Sequence, residues 1–325
     1  MKQVNIIESL RALAAWSVCL YHFVNTTIGF IGNETVLSIF KHGQQGVYVF
    51  FVISGFIIPW SMYSNNYKLS SFFKYIAKRI VRLDPPYIAS IILVILLIVI
   101  KPYLGYHDQA TVSAKQVALH LGYLINFFSE YHWLNNVYWT LAIEFQYYIA
   151  MALCFVLFVN KNIAFRIIGY ILFFGISLID FHNKSYHFPF HAPLFMLGIV
   201  TFLFMKQIIK SWEMIAISIL SLCLVYFNEK AEIMIIGGIT AMIILFFDKV
   251  KIPGLHEMGK FSYSVYLIHP VTGITLVNIL SHHVHGPLQK SLVILGGVVI
   301  TFISSYIMYL LVEKPSKNWA AKIKL

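Results

Sequence analysis

An all-α protein with about ten transmembrane helices and both termini in the cytoplasm is the fold class this sequence predicts, and three observations carry it. Hydrophobic residues make up 59% of the 325 positions and charged ones only 11%, against about 25% charged in an ordinary soluble domain. Ten apolar segments can be drawn, at 6–28, 46–63, 86–104, 137–159, 163–181, 190–205, 213–227, 233–247, 262–280 and 291–312. Counted with the adjacent span ends, 17 of the 24 Lys and Arg fall on the side of the N-terminus and six on the other, with Arg11 inside a span. That asymmetry is the positive-inside rule. The net charge of +11 is therefore a mark of topology and of contact with anionic membrane lipids, and nucleic acid is not an expected partner. No polar block is long enough for a separate soluble domain, so residues 1–325 read as one integral-membrane domain.

The first span holds the most informative residues. It carries Glu8, Arg11 and His22 in an otherwise apolar helix. A charge within a span costs on the order of 3 kcal/mol on insertion scales, so such residues are seldom accidental. Arg11 and His22 are eleven residues apart, three turns plus about 20°, and so lie on one stripe about 16 Å apart along the axis. A cation and an imidazole so arranged suit a long molecule lying along the helix. Taken singly, Arg11 could snorkel to phosphates and His22 could be a satisfied interior residue. The segment lacks a small-residue cleavage site and is expected to be a retained span, not a removable signal.

A short external loop, 29–45, leads to the second span, apolar all round except for Ser54 beside Gly55. A Ser-Gly pair in a span points to close helix packing, or to a hydroxyl facing the same cavity as His22. Residues 64–85 form the most basic cytoplasmic loop. Its aromatics recur at helical spacing from Ser70 to Val81, which predicts an amphipathic interfacial helix ahead of Pro85-Pro86. Arg79 and Arg82 are i, i+3 on one face of it, and two guanidiniums so held can clamp phosphates bidentately. The longest external loop, 105–136, holds His107, His120, His132 and Trp133, with a helix expected over 113–128 at the outer interface.

Span four places Glu144 about 10 Å below the outer surface, and His22 lies about 24 Å up from the inner one in a core of about 30 Å. These depths permit contact between the two. Spans five to eight say less, and several are short enough to demand tilt or local thinning. His187 and His191 flank span six and read as interfacial. Three histidines in 282–285 lack a carboxylate or thiolate companion, so no metal site is expected there. Span nine puts Tyr266 and His269 on one face, and Pro270 is expected to bend it. The chain closes on Glu313-Lys314-Pro315, a helix terminus at the inner interface. Cys19, Cys154 and Cys223 all fall in spans without ligand spacing and are expected to be inert buried thiols.

Six motifs in order give the chain a specific resemblance. They are Leu10-Arg11-Ala12 with His22, Phe50 to Phe56 ending in Ser54-Gly55-Phe56, and Arg79-Ile80-Val81-Arg82 before Pro85-Pro86-Tyr87. Trp139-Thr140-Leu141 with Glu144 and Tyr147, Ser262 to Pro270, and Glu313-Lys314-Pro315 complete them. With these motifs the chain resembles the membrane acyltransferase-3 family, bacterial inner-membrane enzymes that O-acylate surface glycans. The resemblance implies a cytoplasmic acyl-CoA donor, usually acetyl-CoA, and as acceptor a sugar hydroxyl of an O-antigen of lipopolysaccharide, a capsule or an exopolysaccharide, free or lipid-linked. It maps donor binding onto Arg11, Arg79 and Arg82. Tyr48, Asp84 and Phe145 depart from the family's usual residues, which bears on the acceptor. Some relatives append an extracytoplasmic domain that this chain lacks, so onward transfer would call for a glycan-assembly partner.

Combining the residues with that resemblance, the expected chemistry is acyl transfer from a thioester to a hydroxyl. His22 acts as general base, since a neutral imidazole suits that proton transfer, and Glu144 orients it or steadies the imidazolium. Ser54, Tyr266 and His269 are candidates for lining the tunnel. The rival from another class is a glycan exporter without chemistry of its own, because buried charges also line substrate paths.

Overall fold

The computed structural model describes residues 4–100, 103, 111–180 and 183–324; His107 lies outside them. Within these residues the chain is helical throughout, without strands. Helix α1 (Ile6–Asn25) leads through the short α2 (Glu34–Lys41) into α3 (Gly46–Ser64) and the long α4 (Phe72–Ile100). A surface helix, α5 (Ala114–Leu121), precedes α6 (Tyr138–Phe158), α7 (Ile163–Ser177), α8 (Phe188–Met205), α9 (Ser211–Asn228) and α10 (Ala231–Phe246). Then come α11 (Leu255–Gly259), α12 (Ser262–Ile268), α13 (Thr275–Ser281), α14 (Pro287–Met308) and α15 (Lys314–Lys322).

Among the described residues seven stretches are long and apolar enough to cross a membrane: Glu34–Ser64, Leu69–Ile100, Tyr138–Phe158, Phe188–Met205, Ser211–Asn228, Ser262–Ser281 and Pro287–Lys322. Helices α7 and α10 are apolar but shorter. Helix α1, the remaining apolar segment of the sequence, is made less apolar by Glu8, Arg11 and His22. The outward faces of α4, α7, α9 and α14 expose Ile92, Leu96, Ile171, Ile219, Leu292 and Ile303. Water would not tolerate apolar surface on this scale, whereas lipid does.

Helix α8 sits at the centre of the bundle, buried nearly all round, and its neighbour α3 shows why. A Cβ added at Gly198 would stand 2.1 Å from the Val52 carbonyl oxygen, and one at Gly55 would stand 2.1 Å from that of Phe195. The two glycines thus let the backbones touch, and dispersion replaces the hydrophobic drive that lipid removes. Phe51 and Tyr147 stack on Phe195, at 5.0 and 4.2 Å between ring centroids, and close the crossing. Gly198→Ala is expected to lower the melting temperature in detergent by several degrees, from about 1–3 kcal/mol of overpacking, as followed by tryptophan fluorescence.

Several expectations are corrected. The interfacial helix over Ser70 to Val81 and span three are one continuous helix, α4, with Pro85 and Pro86 inside it. Pro86 has no N–H for the Arg82 carbonyl, but the Ser316 hydroxyl donates to that oxygen at 3.1 Å, so this acceptor is met from α15. The external helix is shorter than 113–128: α5 stops at Leu121, and Tyr123 takes a left-handed φ of 57°. The His187 and His191 side chains are buried within the protein, and Cys223, expected to be buried, is exposed.

Within the loop between α4 and α6, His120 Nδ1 donates to the Gln116 carbonyl at 2.8 Å while Nε2 accepts the Leu134 N–H at 3.0 Å. Both ring nitrogens are therefore spent on the backbone, and burial pushes the imidazole pKa down. His120 is a loop staple. Between α7 and α9, Arg166 grips Glu213 through two 2.7 Å bonds, and the Tyr170 hydroxyl completes the buried pair.

Candidate active site

Two cavities meet near the middle of the bundle. The first opens at the end where α1 begins, measures about 900 Å³ including its open mouth, and is lined by Arg11, Arg79, Arg82 and Lys317 with the carboxylates of Glu144 and Glu313. Four cations against two carboxylates leave an excess of positive charge, and its distribution is uneven. Lys317 is paired with Glu313 at 2.7 Å, and Glu313 also accepts from the backbone N–H of Ser264 at 3.1 Å and from its hydroxyl. Among the described residues no carboxylate lies within salt-bridge distance of any of the three arginines.

Arg79 is buried, its guanidinium carbon 5.1 Å from the Tyr75 ring centroid and 5.4 Å from that of Tyr148. These contacts hold the cation by its faces. Its Nε has no hydrogen-bond partner among the described residues. A buried guanidinium with an unmet N–H is costly alone and is satisfied by an anion, for which the planar fork of Arg is suited. Local sequence explains the placement: Arg79 and Arg82, three apart on α4, turn toward the same cavity, and Arg11 reaches it from α1.

Deeper in this cavity the Ser54 hydroxyl donates to Glu144. Gly55 meets α8, so the close-packing reading of the Ser-Gly pair holds, whereas Ser54, one residue earlier, faces the arginine cavity and not the one that His22 lines. The wall at the far end is made by Val47 and Tyr266, which line both cavities. The Tyr266 hydroxyl is bonded to the Thr140 hydroxyl at 2.8 Å and donates to the Val137 carbonyl at 3.1 Å, while its ring meets Phe50 edge-on at 5.9 Å. Tyr266 is a pinned septum.

Beyond it lies the second cavity, about 2030 Å³ including its open mouth, at the end where α1 finishes. His22 lines it, among the aromatic rings of Tyr21, Tyr48, Trp133, Trp139 and Tyr186. The His22 ring has Tyr21 at 4.9 Å and His269 at 5.2 Å between centroids. Mixed aromatic and amide walls suit a polyhydroxylated ligand, whose C–H faces stack on rings while its hydroxyls meet polar groups.

The stripe read from the sequence is thus realised: Arg11 lines one cavity and His22 the other, and the shared wall stands between them. Glu144 and His22 are not brought together, for Glu144 lines only the first cavity and its partner is Ser54. Three residues of the second cavity were missed. His191 Nδ1 stands 2.6 Å from a Glu229 carboxylate oxygen, and the Tyr48 hydroxyl donates to the other oxygen at 3.2 Å. The departure at Tyr48 was the available signal; Glu229, in a short loop after an apolar segment, offered none. Among the described residues no cluster of three or more His, Cys, Asp or Glu could hold a metal ion.

Comparison with known proteins agrees with this architecture. A protein of Acidianus two-tailed virus named "Putative acetyltransferase ORF330" is 28% identical over 286 residues, which cover 81% of this chain and 81% of that protein. No solved structure matches the chain. The acyltransferase-3 family, described as an acyltransferase domain, matches residues 4–310. A match over nearly the whole length, on a bundle of apolar helices whose two cavities meet at a shared wall, establishes that the chain is a multi-pass membrane acyltransferase of the acyltransferase-3 family.

Proposed function

We propose that this enzyme moves an acyl group, acetyl in the first instance, from a cytoplasmic acyl-CoA to a sugar hydroxyl on the opposite side of the membrane. The observation that carries the reading is the shared wall: a cation-rich cavity and a histidine-bearing cavity touch at Val47 and Tyr266. Arg11, Arg79 and Arg82 would hold the phosphates of the donor, and the unmet Nε of Arg79 fits that role. The 16 Å or so between Arg11 and His22 suits a donor with an extended arm. Ten spans with both termini cytoplasmic, in a bacterial inner membrane, put the arginines on the side where acyl-CoA is made.

His22 takes the proton of the acceptor hydroxyl as its oxygen bonds to the thioester carbon. The carbon–sulfur bond then breaks, and His22 returns the proton to the departing sulfur, so the products are an ester and a thiol. Glu144 serves the donor cavity, where it holds the Ser54 hydroxyl and offsets part of the arginine charge. Tyr266 narrows the junction at which the thioester meets the acceptor hydroxyl and limits the water that reaches it. The sugar would belong to an O-antigen, capsule or exopolysaccharide, and the aromatic walls around His22 support a carbohydrate acceptor.

The test uses purified protein, labelled acetyl-CoA and membrane glycan from the source cell. Wild type transfers label to the glycan and hydrolyses little donor without it. Tyr266→Ala, which opens the wall, is expected to raise the ratio of hydrolysis to transfer by roughly 10-fold. Acetyl-CoA left intact by the wild type in the presence of glycan would overturn the proposal.

A further inference from the structure

His22 has a neighbour that the reaction just described does not use. His269 follows α12, is fully buried, and its ring centroid lies 5.2 Å from that of His22 with the planes at 42°. Its Nδ1 is 3.1 Å from the Val265 carbonyl, one helical turn back. A carbonyl only accepts, so Nδ1 carries the proton, and Nε2 is left as a bare lone pair. That Nε2 is buried and has no hydrogen-bond partner among the described residues. An unmet buried acceptor is a net cost to the fold, so its retention calls for a reason.

The geometry supplies one. An N–H···N bond of about 3.0 Å between nitrogens each about 1.1 Å from its ring centre spans about 5.2 Å, the separation found here. The rings are tilted and not yet bonded, and a turn of His22 about its own side-chain torsions completes the contact. The backbone holds the pair in register. A Cβ at Gly273 would meet the Phe23 ring at 2.4 Å, so the π-turn Pro270–Ile274 is seated directly against α1 beside His22.

We propose that His269 is the positioning partner of His22: its bare Nε2 accepts one His22 N–H and so fixes the tautomer whose other nitrogen is free toward the acceptor cavity. The functional consequence rests on the reading of His22 as the base. The role that the sequence offered to Glu144 is taken by a neutral imidazole behind the base. A neutral partner orients without pulling charge, and leaves His22 free to give its proton back to the departing sulfur.

The experiment takes the full-length protein in detergent with ¹⁵N-labelled histidine and reads the His22 tautomer from two-bond proton–nitrogen correlations, its signals assigned by their loss in His22→Ala. Wild type is expected to hold one neutral tautomer. His269→Phe should release it into a mixture, and His269→Gln, whose side-chain carbonyl can still accept, should keep most of it. In glycan acetylation His269→Phe should lose roughly 10- to 100-fold in kcat with KM for acetyl-CoA unchanged. Both tautomers of His22 in wild type, or the same tautomer population in His269→Phe, would overturn the proposal. A locked tautomer in an enzyme whose transfer is indifferent to His22→Ala would leave the pairing standing and remove the base.

Discussion

His22→Ala abolishes acyl transfer, lowering kcat by about 10²- to 10⁴-fold, the range that a positioned general base supplies, while the protein inserts and purifies as wild type does. Both halves follow from where the ring sits. It lines the second cavity, and the ring neighbours of His22 among the described residues are Tyr21 and His269, at 4.9 and 5.2 Å. No side-chain hydrogen bond of the His22 ring to the described residues holds two helices together, so truncation removes a proton acceptor and little packing. A stability loss under about 1 kcal/mol is expected, as for sites away from cores and networks. Donor affinity should change little, because the arginines proposed to hold the donor's phosphates line the other cavity. The measurement pairs glycan acetylation with acetyl-CoA binding to the same preparation. Wild-type acetylation by the variant would remove His22 from the mechanism.

The second large effect falls on the donor side. Arg82→Gln is expected to raise KM for acetyl-CoA by roughly 10- to 100-fold, since a charge-assisted hydrogen bond contributes about 1.5–3 kcal/mol, with kcat changed far less. Arg82 lines the cavity and has no salt-bridge partner among the described residues, so the loss should appear in ligand binding and not in the fold. Arg79→Gln should lose affinity and stability together, because its guanidinium also packs against Tyr75 and Tyr148. The double variant should fall short of the summed losses, since both side chains face one cavity. Arg82→Lys should recover only part of the affinity, as an ammonium cannot reproduce the two-pronged contact. Titration calorimetry at two salt concentrations reads all of this. A donor affinity equal to wild type in Arg82→Gln would place the phosphates elsewhere.

Much of the architecture could be read without coordinates. Among the described residues each of the ten apolar segments has helix at its core, because a backbone in lipid must satisfy its own hydrogen bonds and hydropathy therefore reports the fold directly. The Arg11–His22 stripe and the Arg79–Arg82 pair were equally legible, since both members of each sit on one helix and 3.6 residues per turn sets their relation. Boundaries were harder. Pro85-Pro86 looked like a break, yet the helix passes through it, and Ser316, more than 200 residues away, supplies the donor that the Arg82 carbonyl lacks.

Partners were the illegible part. Matched depth made Glu144 a plausible companion for His22, yet depth fixes one coordinate and leaves the position around the bundle open. In the folded protein Glu144 meets Ser54 on the arginine side. His191 finds Glu229, Ser264 finds Glu313, and Arg166 finds Glu213, each across a gap in sequence that no local pattern spans. Hydropathy and helical periodicity act within a single segment, so the chain alone prescribed its spans and the faces on which charge is buried. Which charge meets which is settled when the helices dock, by close approaches such as Gly55 on Phe195 and Gly273 on Phe23, where a clash of one Cβ decides the neighbour.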